Sequence, residues 1–179
     1  MVQQTERTAA GWTDTIVIEP MSGPVDAQAF KKLNEDWIVE LFSLEPADSA
    51  KLDDPEREIV AKGGQVLIAR DGADIVGCVA LMPEGDGVFE LTKMAVARDR
   101  RGRGLGRLIL RAAIDYARRR GVRALFLGSS TKLPNAVHLY ESIGFVHVPS
   151  EQIGPMPYQR ADVFMRYELT ATAESTRQG

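Results

Sequence analysis

Arginine and glycine alternate from Arg101 to Arg107 (Arg-Gly-Arg-Gly-Leu-Gly-Arg), close behind a strand-like run, Glu90-Leu-Thr-Lys-Met94-Ala-Val96. From Leu105 the apolar residues change spacing: Leu105, Leu108, Ile109, Ala112, Ala113 and Tyr116 follow one face of a helix. A strand, a glycine-rich turn and a helix start form a cradle for phosphate. Glycines let the backbone approach an anion, and the free N–H groups and dipole of the first helical turn favour negative charge. Two other phosphate motifs do not fit. Gly102, Gly104 and Gly106 read G-x-G-x-G, with Arg107 where a dinucleotide fingerprint needs its third glycine, and no Lys-Ser/Thr pair follows at P-loop distance. Strand alternation puts Glu90, Thr92, Met94 and Val96 on one face, so a carboxylate shares the face that leads into the cradle.

The pattern Arg101-x-x-Gly104-x-Gly106, following Met94-Ala-Val96, resembles the acyl-CoA pyrophosphate loop of the GNAT acetyltransferase superfamily. A second block, Ala136-Val-His-Leu139-Tyr140-Glu-Ser-Ile-Gly144-Phe145, is similar to that superfamily's later A-x-x-L-Y-x-x-x-G-F segment. The resemblance implies an acetyl-CoA-dependent N-acetyltransferase that works by direct attack of a primary amine in a ternary complex. Such a reaction must take a proton from an ammonium, stabilise an oxyanion and protonate a departing thiolate. The resemblance implies that Arg101, Gly102, Arg103, Gly104, Leu105 and Gly106 hold the pyrophosphate. Met94, Ala95 and Val96 would pair with the pantetheine arm, and an amide near Ala95 would serve the oxyanion. Gly128, Ser129 and Ser130 would line the opposite wall. Tyr140 matches the thiol-contacting tyrosine and is the expected general acid. Glu90 is the expected base, acting directly or through water. Where the superfamily often has an asparagine, seven residues before the tyrosine, this chain has Leu133. The nearby Asn135 is expected to contact CoA or only to cap a helix.

For the acceptor, Asn34, Trp37 and Glu40 on a first helix and Tyr158 and Arg160 beside the last strand are the candidates, with Trp37 also readable as a core anchor. Arg160 would suit a carboxylate, which points to an amino acid-like or other small amine-bearing acceptor. A CoA-binding sensor without catalysis is the alternative. His138 and His147 lack partners at metal-ligand spacing, so no metal is expected. Cys78 reads as a small core residue.

The chain has 179 residues and a net charge of −3, which argues against general nucleic-acid binding. No run approaches a membrane span. The first thirteen residues lack the apolar stretch of a secretory signal, and the one cysteine suits a reducing cytoplasm. Charge is unevenly spread. Nine acids lie between Glu35 and Glu58 against Lys51 and Arg57, and ten arginines between Arg98 and Arg123 against Asp99 and Asp115. They are either two solvated faces or an anion-binding end and a cation-binding end.

These residues need a scaffold. Residues 1–13 read as a disordered tail, 14–169 as one acetyltransferase domain, and 170–179 as a polar tail. Alternation predicts strands at 14–19, 65–70, 74–82, 88–96, 145–148 and 161–169, and a wholly apolar run predicts a central strand at 123–128. Helical spacing covers 25–44, 104–120 and 134–143, while 47–62 holds at most short helices. That order predicts an α/β fold, a mixed, mostly antiparallel sheet of about 7 strands flanked by about 4 helices. Many GNAT relatives pair as dimers, so a homodimer is a further expectation of the resemblance.

Overall fold

The computed structural model describes residues 2–4 and 16–169. Turn residues between apolar runs build the first half of the sheet. β1 (Val2–Gln4) lies antiparallel to β2 (Ile16–Pro20), which pairs with β3 (Gln65–Asp71). A turn at Gly72 joins β3 to β4 (Asp74–Pro83), and a turn through Gly85–Gly87 leads to β5 (Val88–Val96). Within the stretch expected to be a tail, Val2–Gln4 is therefore a strand. The rest of residues 1–13, and all of 170–179, lie outside the described residues.

The second half is reached by a helical crossover. α3 (Leu105–Arg119) ends at Gly121 and feeds β6 (Ala124–Ser129), parallel to β5. α4 (Pro134–Ile143) stops at Gly144 and is followed by the two-residue β7 (Val146–His147). β8 (Val163–Glu168) inserts between β6 and β7, giving one sheet in the order β1-β2-β3-β4-β5-β6-β8-β7. The sheet is antiparallel except at β5–β6, which makes it the mixed, mostly antiparallel sheet the sequence predicts, with β1 added.

Each face of the sheet has its own core. Ile109, Leu110 and Ala113 of α3 pack with Leu81, Leu125 and Met165 on one face. On the other, Phe30 and Ile38 of α1 (Gly23–Leu41) pack with Leu52, Ile59, Ile68 and Ala80. Leu52 belongs to α2 (Pro46–Asp53), a short helix opened by Pro46 and a reciprocal cap between Glu45 and Asp48. A single π-helical turn, Glu56–Val60, follows it. Two short helices across 46–60 agree with the sequence expectation.

Candidate active site

Two breaks in the sheet's regularity make the site. The parallel pairing of β5 with β6 lasts only from Val88↔Ala124 to Glu90↔Phe126. Beyond it β6 continues in register with β8 alone, so the β6-facing edge of residues 91–96 is left open. The second break is on the β4 side. Cys78 pairs with Ala95 and Ala80 with Thr92, so Lys93 and Met94 together oppose Val79. This is a β-bulge, and Lys93 takes a left-handed φ of +53° to make it.

The bulge corrects the strand reading. An inserted residue shifts the period-2 alternation, so Glu90 and Met94 do not share a face. Phe89, Leu91, Met94 and Val96 pack with the α3/α4 core, whereas Ala95 belongs to the α1/α2 core. Glu90 pairs with Met82, a member of that second core, and so looks toward α2. Beneath the bulge, the Asn34 side-chain amide donates to Cys78 Sγ at 3.4 Å and the thiol faces the Lys93 carbonyl at 3.5 Å.

A cleft of about 380 Å³ opens along the splayed edge. Its floor is residues 90–96; its walls come from Trp37, Glu40 and Leu41 of α1, residues 128–130 and 132–136, Tyr140, and the segment Tyr158–Ala161. At one end lies the arginine–glycine turn. Gly102 and Gly104 have φ of +75° and +82° with open space around them, so conformation and not crowding requires glycine. Gly106 is different. A Cβ there would lie 3.3 Å from Leu139 Cδ2, so its smallness sets the approach of α3 to α4. Arg101 Nε donates to the Val96 carbonyl at 3.1 Å, and its guanidinium and that of Arg98 both reach Glu40. The acidic and basic stretches of the sequence thus interlock at the mouth.

Next to the floor, α2 gathers charge. Asp48 is fully buried and accepts from Lys93 Nζ at 2.5 Å and from both terminal nitrogens of Arg160 at 2.7 Å. Burial opposes its charge, but the bonds from Arg160 and Lys93 prevail and hold its pKa at about 2. Arg160 also binds Glu45 at 3.0 Å. The Tyr158 ring has Lys93, Arg160 and Lys51 at 4.3, 4.7 and 5.5 Å from its centroid. Lys51 Nζ donates to the Tyr158 hydroxyl at 3.2 Å and stands 3.9 Å from Glu90 Oε2. Burial pushes the Glu90 carboxyl above its ordinary pKa, Lys51 pulls it down, and Glu84 pushes it up.

Tyr140 comes from α4, buried against Phe145 with ring centroids 5.7 Å apart. Burial alone lifts its phenol to about 12. Tyr140, Glu90, Met94, Ala95, Val96, Arg101, Asn135, Trp37, Tyr158 and Arg160 all line the cleft. Asn135 does not cap α4, whose N-cap is Leu133. Two expectations change, those for Asn34 and Arg160. Asn34 is buried beneath the bulge, bonded to Phe30, Cys78 and Trp37 Nε1, and does not face the acceptor. The Leu105 side chain points into the core, leaving only its backbone for a ligand. The Ala95 amide is turned toward the Cys78 thiol, away from the open edge. Arg160 has its fork closed on Asp48 and Glu45, so it is a brace and not a receptor for an acceptor carboxylate. Asp48, Lys51 and Glu84 were not read from the sequence. Lys93 had one signal, a cation inside a predicted strand between two apolar runs.

A mixed sheet opened at a parallel pair, with a buried tyrosine and carboxylate beside a glycine-rich anion cradle, is an acyl-transfer architecture. The sequence profile of the acetyltransferase (GNAT) family matches residues 28–145, and the chain belongs to that family. It is 31% identical over 160 residues to an uncharacterised N-acetyltransferase of Schizosaccharomyces pombe, covering 87% of this chain and 96% of that one. It is 35% identical over 80 residues to the probable N-acetyltransferase camello of Xenopus laevis, covering 44% of this chain and 36% of that protein. Among solved structures, a GNAT-family acetyltransferase from Staphylococcus aureus superposes with a TM-score of 0.74 at 20% identity, covering 87% and 99% of the two chains. The protein yncA of Salmonella typhimurium, solved with its cofactor acetyl-CoA, superposes with a TM-score of 0.66 at 22% identity, covering 88% and 96%. The chain is an acyltransferase. Among the described residues, no helix is long and apolar enough to cross a membrane, and no cluster of three His, Cys, Asp or Glu side chains could hold a metal ion.

Proposed function

We propose that the protein transfers the acetyl group of acetyl-CoA to a primary amine by direct attack in a ternary complex. The observation that carries this reading is that Tyr140 and Glu90 line one cleft, beside the open edge of β5. The pyrophosphate would rest on the amides of residues 102–106, with Arg101 and Arg103 beside it. The pantetheine arm would lie along the open edge of residues 94–96. The oxyanion falls to the bulge amides that flank Ala95, since Ala95 gives its own amide to Cys78.

Glu90 takes the proton from the acceptor ammonium, directly or through one water. The freed nitrogen lone pair attacks the thioester carbon. Tyr140, with its phenol near 12, is protonated at neutral pH and gives that proton to the thiolate as the C–S bond breaks. An acetyl-cysteine route has no support, because Cys78 is fully buried with its thiol pushed up to about 12. A small or amino acid-like amine remains the proposed acceptor, held between Trp37 and Tyr158. A carboxylate on it would meet Lys132, whose ammonium lies over the Phe42 ring, and not Arg160. The one buried cysteine supports a reducing cytoplasm as the working compartment.

Release of free CoA thiol from acetyl-CoA, measured across amines, amino acids, polyamines and peptides, tests the proposal. Amine-dependent release should appear, and Tyr140→Phe should lower kcat by roughly 10²–10⁴-fold with acetyl-CoA binding retained. Tight acetyl-CoA binding with no release from any amine would favour a sensor, and no binding would dispose of both.

A further inference from the structure

Glu90 has a carboxyl neighbour that reaches solvent. Its cross-strand partner is Met82, and two residues beyond Met82 the chain turns out of β4 at Glu84, whose amide donates to the Val88 carbonyl. Residues 82, 84 and 90 therefore share one face of the hairpin. The Glu84 carboxyl comes within hydrogen-bonding reach of Glu90, yet Glu84 is exposed while Glu90 is 4% exposed. Charged groups approach this pair from each packed element. From α2, Lys51 lies 3.9 Å from Glu90 and also faces Glu84. From β5, Lys93 faces Glu90 but is engaged by Asp48 at 2.5 Å. The hydroxyl of Tyr158 is bonded to Lys51.

We propose that Glu84 is a proton-exit residue of the transfer reaction: it receives from Glu90 the proton taken from the acceptor and passes it to solvent outside the cleft. This rests on acetyl transfer with Glu90 as base. A proton on a buried carboxyl under a filled cleft has no return path through the bound reactants. A carboxylate that reaches Glu90 on one side and solvent on the other gives that proton a way out that the filled cleft does not block. The steps balance. The acceptor R–NH3+ gives one proton to Glu90, and its lone pair forms the C–N bond. That proton crosses to the Glu84 carboxylate and then to water, returning Glu90 to its ionised form. The C–S bond breaks with its electrons on sulfur, which takes the Tyr140 proton, and the second nitrogen proton restores the phenol. One proton leaves per turnover.

The pH profile of kcat/KM for the acceptor, at saturating acetyl-CoA, provides the test in wild type, Glu84→Gln and Lys51→Met. Removing the Glu84 charge should move the acidic limb to lower pH, and removing the Lys51 charge should move it to higher pH. Glu84→Gln should also lower kcat by about tenfold or more with an unchanged melting temperature, and added imidazole at constant ionic strength should restore it. A merely structural role would not move the two limbs in opposite directions. Wild-type turnover with unmoved limbs, or limbs moving the same way, overturns the exit role alone. No wild-type turnover with any amine overturns the transfer reading and this one with it.

Discussion

Asp48, itself fully buried, meets two cations from distant parts of the chain, Lys93 on the bulge and Arg160 ahead of β8. Taking away one member of such a cluster leaves buried charge without a partner, so Asp48→Asn should destabilise by about 3–5 kcal/mol at neutral pH, read from urea midpoints. The pH dependence has a definite sign. The folded-state pKa of about 2 lies below the ordinary 3.8, so the ionised carboxylate stabilises fully above about pH 4 and that contribution is lost as pH falls toward 2. It amounts to about 2 kcal/mol. Urea midpoints followed from pH 5 to 2 should therefore fall more steeply in wild type than in Asp48→Asn; parallel curves would contradict the assignment. Residues of this kind are hard to read from a sequence. Glu90 and Tyr140 could be found because each stands beside a short-range pattern, an alternating strand or the block ending Gly144-Phe145. Asp48 is 45 residues from Lys93 and 112 from Arg160, and only the fold makes them neighbours.

At the level of elements, the strand–turn–helix of the cradle was legible because period 2 gives way to period 3.6 across glycines. The bulge was not. One inserted residue leaves composition and local propensity unchanged while reversing which side chains face which core. It puts Glu90 and Met94 on opposite faces of the sheet. The glycines of the turn divide by physical cause, and variants should follow that division. Gly104→Ala meets open space but must hold φ near +82°, so it should lower stability by about 1–2 kcal/mol. Where the turn relaxes instead, the same strain should appear as roughly tenfold weaker acetyl-CoA binding by calorimetry. Gly106→Leu should act through contact, pushing Leu139 and with it the helix that carries Tyr140. Its signature would be a loss of kcat larger than the loss of acetyl-CoA affinity.

For the molecule as a whole, the open edge between β5 and β6 gives a ligand a structural task. A pantetheine arm seated there would take the place of the strand pairing that ends at Glu90↔Phe126. Acetyl-CoA at a hundred times its Kd should then stabilise the fold by about 2.7 kcal/mol, seen as a rise in Tm. Hydrogen exchange should slow most in residues 91–96, and an equal effect from adenosine diphosphate alone would argue against that seat. The α/β class and the antiparallel hairpins were foreseeable from turn residues, whereas the position of β8 was not, since apolar alternation is silent on which neighbours a strand will choose. That position matters for how the protein is made. β8 is the last described strand, yet it is the partner of both β6 and β7, and Arg160 stands just before it. During synthesis, which delivers about 5–20 residues per second, the cradle, Glu90 and Tyr140 all emerge before the segment that joins them. A nascent chain halted ahead of residue 158 would carry the motifs of the family and lack the Tyr158–Arg160 wall, so the site is a late event in the life of each molecule.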